Sequence, residues 1–248
     1  MTEPEDAYSL AEKVYSSLAY KIYGRLELLS VNFFVFSRNY HELKRLLHLT
    51  KSTKMILRLW DLKNRNELSA VTKDITRLLH NYLAAAKTLV DHTRALVSEW
   101  YAESDFLSEY EAQVLSRFTE NPISGFIEGL RNYSLHYSLP FTQASMKITS
   151  SDGQKLDQVV SEFVLRRSIL RYWSNWPAKA RSYLDESEDE IPVESLADLY
   201  YQKILEFHVW IDKRLRKIHS DELVWLSQMN ERIISLMPED EKRERGLL

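Results

Sequence analysis

The chain has 248 residues, of which 44% are hydrophobic and 28% charged, an ordinary globular balance that excludes disorder as the default state. Five glycines and six prolines are too few for a loop-rich all-β fold and favour long uninterrupted helices. The net charge of −3 leaves nucleic-acid binding only to local basic patches, and the absence of cysteine excludes disulfides, thiolate zinc sites and a cysteine nucleophile.

The N-terminus, Met1-Thr2-Glu3-Pro4-Glu5-Asp6, is acidic and polar, the opposite of a secretory signal. The longest apolar run, around 28–36, is interrupted by Ser30 and Asn32 and is too short to span a bilayer. A cytoplasmic protein without a membrane segment is expected.

From 11 to 47 the apolar positions alternate in steps of three and four, as in Leu18, Ile22, Leu29, Phe33, Phe36, Tyr40, Leu43 and Leu47, which predicts one long helix. A break at 50–53, a short helix over 55–62 and a turn at 64–66 follow. Leu68, Ile75, Tyr82, Leu89 and Leu96 then recur every seven residues, predicting a helix over about 67–101 that packs antiparallel in a bundle or forms a coiled-coil seam. Ser104 is the expected cap of a helix over 106–118. Asn121-Pro122 supplies a cap and a first-turn proline for a helix that must end before Pro140.

Beyond Pro140, the β-branched stretches 141–149 and 159–165, with Asp152-Gly153 between them, predict a β-hairpin. A short helix over 178–184 and an acidic run, 185–190, read as a solvated loop, come next. Pro192 opens a last helical stretch with a kink near Ser220. The expectation is mainly α: a helical bundle with several long helices and one β-hairpin after the motif helix. It is read as a single domain over 1–248, with a bundle core over about 1–138, a hairpin and connecting segment over 139–190, a C-terminal helical stretch over 191–237 and a frayed tail over 238–248.

The segment Arg131-Asn132-Tyr133-Ser134-Leu135-His136 carries the one constellation above generic helical chemistry. On a helix Asn132 and His136 share a face, whereas Arg131 and His136 diverge by about 140°. Histidine, which titrates near neutrality, suits proton transfer from a ribose 2′-hydroxyl. Arginine suits clamping the charge that develops on phosphorus. Asn132 suits orienting the histidine or the substrate.

Arg131, Asn132 and His136 resemble the motif of the HEPN family, an arginine followed by a polar residue and then a histidine four to six intervening residues after the arginine. The resemblance implies an all-helical bundle, dimerisation that brings two motifs together, and metal-independent endoribonuclease activity, often in toxin or antiviral systems. Under it, His136 is the acid/base, Arg131 the phosphate clamp and Asn132 or Tyr133 the positioning group. The same loose spacing recurs at Arg214–His219 with apolar Leu215 in second place.

The structural alternative is a polar network, with Arg131 paired to Glu128 and His136 bonded to a hairpin carbonyl. The protein would then be a non-enzymatic interaction protein whose long helices dock a partner or a second copy. Arg166, Arg167, Arg171, Lys179 and Arg181 interleave with Tyr172, Trp173 and Trp176. Such a pattern can hold single-stranded RNA, or pin a connecting segment onto a bundle with its arginines outward. Asp91-His92 and His208/Asp212 each offer two metal ligands with no third fixed by spacing, so neither a metal nor a cofactor is expected.

Overall fold

The computed structural model describes residues 6–149 and 158–246, so the expected Asp152-Gly153 turn lies outside the described residues. The fold is mainly α with one small antiparallel sheet, as the sequence implies. The first expected helix is two. Helix α1 (Ala7–Ser16) is capped by the Asp6 carboxylate, which accepts from the Ser9 N–H at 2.7 Å. Helix α2 (Leu18–Leu49) starts afresh because Ser17 is extended, at φ −72° and ψ 156°. The Ser17 hydroxyl donates to the Val14 carbonyl at 2.6 Å and accepts from the Tyr20 N–H at 3.1 Å, closing one helix and capping the next.

Helix α3 (Thr53–Leu59) is capped by Ser52, and a 3-10 turn at Leu62–Asn64 leads into α4 (Arg65–Trp100). Its 36 residues make it about 54 Å long at 1.5 Å per residue. Of its heptad residues, Ile75, Tyr82, Leu89 and Leu96 are buried. Helix α5 (Asp105–Val114) passes into a π turn at Leu115–Thr119. The Ser104 hydroxyl donates back to the Tyr101 carbonyl rather than capping α5. Helix α6 (Pro122–His136) carries the motif.

Strands β1 (Gln143–Thr149) and β2 (Gln158–Arg166) pair antiparallel, with Ala144 opposite Phe163. A short β3 (Glu190–Pro192) adds to the other side of β2, with Ile191 opposite Leu165. Between β2 and β3 lie α7 (Arg167–Leu170) and α8 (Ala178–Glu186). Helix α9 (Val193–Ile218) and helix α10 (Ser220–Leu236) are separated at His219, where the kink is expected. The tail includes a short α11 (Glu239–Glu244). No described helix is long and apolar enough to cross a membrane.

Contacts divide the chain into two compact units, one of residues 1–31 with 208–248 and one of residues 32–207. In the first, α1 packs on α10 through Leu10, Val14, Leu226 and Ile233, with Ala19 in the same cluster. In the second, one aromatic group joins Phe36, Tyr40, Tyr82 and Tyr201, with the Tyr40 and Tyr201 rings parallel at 3.8 Å. Another joins Phe126, Tyr133, Trp173, Trp176 and Tyr183 around α6. Each fully buried large apolar side chain contributes about 1.5–3 kcal/mol, so these groups fix where α6 lies within its unit.

Candidate functional site on helix α6

The start of α6 is set by Asn121, whose side-chain oxygen accepts from the N–H groups of Ile123 and Ser124 at 3.1 and 3.3 Å. Its inward side is Phe126, Leu130 and Tyr133, all buried. Glu128, Leu135 and His136 are exposed, and Arg131 and Asn132 half-buried. The roughly 140° between Arg131 and His136 therefore straddles the solvent-facing side of the helix.

Arg131 Nη1 donates to Asn132 Oδ1 at 2.9 Å. Because Asn132 lies four residues before His136, this bond draws the guanidinium toward the histidine's face. Among the described residues Arg131 forms no ion pair with Glu128, and His136 forms no hydrogen bond to the hairpin. Beside Arg131, one turn along, Ser134 Oγ lies 2.7 Å from His80 Nδ1 and ties α6 to α4.

Tyr133 is 3% exposed and lies in a ring lattice: stacked on Trp176 at 5.5 Å, edge-on to Trp173 at 5.7 Å and 5.3 Å from Tyr137. Burial pushes its hydroxyl pKa up. Trp173 is likewise buried, at 8%. Tyr137, which sequence reasoning did not single out, is 53% exposed and is the outermost ring of this lattice. Its signal in the sequence is modest: a tyrosine four residues after Tyr133, at the point where the helix must end.

The basic cluster after the hairpin is occupied. Arg166 bridges Glu190 at 2.9 Å and Asp189 at 3.4 Å, and its Nε donates to the Gln143 side chain. Arg167 donates to the carbonyls of Ser187 and Asp185, and Arg171 pairs with the Asp185 carboxylate. Lys179 donates to the Thr119 carbonyl and Arg181 to that of Ser174. The acidic run 185–190, expected as a solvated loop, is thus partly helix and partly strand and is the counterpart of these arginines. Hydrogen bonds from the Ser168 N–H and side chain, then Arg166, hold the Asp189 pKa below its ordinary value. Those from Ser145 and Lys147, with the charge of Arg166, do the same for Glu190 against a desolvation that raises it. No hydrogen bond or ion pair joins Arg166, Arg167 or Arg171 to Arg131 or His136 among the described residues.

The two-ligand pairs noted in the sequence engage protein partners. Asp91 pairs with Lys87, His92 Nδ1 meets Asn32 Oδ1 at 2.9 Å, and Asp212 holds Arg216 at 2.9 Å. Among the described residues no three His, Asp or Glu side chains gather as a metal site. A small cleft is lined by Thr50, Lys51, Phe163 and Glu194, none of them a residue of α6.

The α6 surface thus offers a cation already oriented by an amide, an exposed imidazole and a fixed aromatic ring in succession. Searches against models of known families, curated proteins and solved structures find no match to the chain.

Proposed function

We propose that this protein binds RNA and cleaves it without a metal, in the manner of the HEPN ribonucleases its motif resembles, acting as a homodimer. His136 takes the proton from a ribose 2′-hydroxyl as that oxygen attacks the neighbouring phosphorus. The bond from phosphorus to the 5′ oxygen breaks, solvent protonates the departing oxygen, and a 2′,3′-cyclic phosphate remains. Arg131 holds the non-bridging oxygens as charge builds on them, and Asn132 aims the guanidinium.

The observation that carries this reading is the Arg131–Asn132 hydrogen bond on the face that presents His136 to solvent. A phosphate reaching His136 there meets a guanidinium whose direction is already fixed, which lowers the ordering cost of binding. Tyr133 belongs to the support of the helix, and Trp173 to the lattice behind it.

The test is cleavage of a mixed RNA pool in EDTA by the wild type, His136→Ala and Arg131→Ala. Cleavage leaving 2′,3′-cyclic phosphate ends, lost in both variants while their thermal unfolding is unchanged, is the expected result. No cleavage by the folded wild-type protein refutes the ribonuclease reading.

A further inference from the structure

Between α2 and α4 the chain turns a corner made of α3 and the 3-10 turn, and three of its leucines are left in solvent. Leu49, Leu57 and Leu62 are 55%, 71% and 81% exposed. The corner is held from behind. Ile56 and Leu59 bury the inward side of α3, and the Trp60 Nε1–H donates to Ser161 Oγ of β2 at 3.1 Å. Asn64 Nδ2 donates back to the Arg58 carbonyl at 2.9 Å, which folds the 3-10 turn against the end of α3. Since α3 has seven residues and is about 10 Å long, Leu57 and Leu62 belong to one small corner.

The same corner is basic in a chain that is acidic as a whole. Residues 45–65 hold six Lys and Arg and one acid, Asp61, whose carboxylate accepts from the Lys63 N–H at 2.9 Å as the cap of the 3-10 turn. Lys51 pairs with Glu194, and Arg58 with Glu67 at 2.7 Å. Arg45, Lys54, Lys63 and Arg65 form no ion pair among the described residues. Each exposed leucine has one of these cations a turn away: Arg45 four residues before Leu49, Lys54 three before Leu57, and Arg65 three after Leu62.

We propose that this corner docks the protein on the surface of an anionic lipid bilayer, with Leu57 and Leu62 entering the acyl boundary and the four cations meeting headgroup phosphates. No residue of α6 takes part, so the inference stands apart from the ribonuclease reading. The leucines lie at a corner and not along a spanning helix, so the attachment is to one surface. Charge complementarity and the leucines together select this occupant over a nucleic acid, which would neutralise the cations but leave the leucines in water. An anionic bilayer supplies phosphates at its surface and hydrocarbon just beneath, and the long stems of lysine and arginine span that step.

The experiment is co-sedimentation of the full chain with vesicles of phosphatidylcholine alone or mixed one to one with phosphatidylserine. Lys54→Gln with Lys63→Gln removes two cations, and Leu57→Gln with Leu62→Gln removes two apolar side chains. Expected are binding to the anionic vesicles and not to the neutral ones, a loss of about thirtyfold for K54Q/K63Q, and a loss of about tenfold or more for L57Q/L62Q. All four positions are exposed, so the thermal midpoint should stay at the wild-type value; L62Q alone, at the most exposed leucine, replaces a double variant that shifts it. No binding by the wild type, or equal binding to both kinds of vesicle, overturns the proposal. So does binding that falls in K54Q/K63Q but is unchanged in L57Q/L62Q, the pattern expected of a nucleic-acid surface.

Discussion

Gly129 of α6 approaches α8 so closely that a β-carbon on it would lie 2.7 Å from Ala180 Cβ and 2.9 Å from the Trp176 ring. One turn earlier, a β-carbon on Gly125 would meet Lys179 Cβ at 2.8 Å. Two glycines four apart thus let the motif helix seat directly on α8, and this contact orients the face that carries Arg131 and His136.

Alanine at 129 gains up to about 1 kcal/mol of helix propensity but must push aside a backbone-anchored methyl and an indole, which costs about 1–3 kcal/mol. Gly129→Ala should therefore lower the thermal midpoint. Gly24 in α2 is the control, since a β-carbon there meets nothing within 4 Å. Gly24→Ala should stabilise by a few tenths to about 1 kcal/mol in the same denaturation assay. Stabilisation by both substitutions would show that α6 and α8 are not in close contact.

The chain leaves α6 through a buried threonine cluster. Thr142 is fully buried; its N–H donates to Thr76 Oγ1 at 3.2 Å, and the two hydroxyls lie 3.0 Å apart. Thr76→Val preserves shape but leaves the Thr142 N–H without an acceptor in the interior, at a cost of about 1–3 kcal/mol. Urea unfolding should register that loss. Ser98→Ala on the exposed side of α4 should change stability by less than about 0.5 kcal/mol.

Glu194 sits in the first turn of α9 and pairs with Lys44 at 3.0 Å and with Lys51. Desolvation raises its pKa, but the hydrogen bonds and charges of Lys51 and Lys44 outweigh it and leave the pKa below the ordinary 4.5. Burial likewise disfavours charge on Lys44, yet Asp198 and Glu194 push its pKa up to about 12. With the folded-state carboxylate pKa depressed, the unfolded chain binds the proton first. The stabilisation from Glu194 is then complete above pH 4.5 and lost as pH falls through the lower folded value. Glu194→Gln should be less stable than wild type at pH 7, with the gap closing toward pH 3. A gap that does not narrow as pH falls below 4.5 would show that packing, not charge, sets it.

Much of this architecture is legible in the sequence because period and punctuation agree. The heptads from Leu68 to Leu96 predict α4, the Asn121-Pro122 pair predicts the start of α6, and the β-branched stretches predict β1 and β2. The break at Ser17 is hidden because a single extended residue barely disturbs the three-four apolar rhythm on either side of it. Strand β3 is hidden because Glu190 and Pro192 are poor strand formers, brought in by Ile191 and the pairing with β2. The boundary between the two units falls inside α2 at 31/32 and inside α9 at 207/208, and no proline or glycine stands at either point to mark it. In the site, the order of Arg131, Asn132 and His136 is visible from spacing. The exposure of Tyr137 is not, since it depends on where Trp173 and Trp176 pack from distant sequence.

The bond from Arg131 to Asn132 makes a prediction that separates orientation from charge. Arg131→Lys keeps a positive charge on the same turn, but an ammonium cannot hold the Asn132 amide and two phosphate oxygens in one plane. Under the proposed chemistry it should lower single-turnover RNA cleavage by about 10²-fold, close to the loss from removing an aligned donor. Asn132→Ala leaves the guanidinium intact but unaimed, and should cost less, about tenfold. Because both positions are half-buried at the solvent side, both variants should retain the wild-type thermal midpoint within a few degrees. If Arg131→Lys cleaves at the wild-type rate, Arg131 contributes charge alone, and the amide that holds it has no part in the reaction.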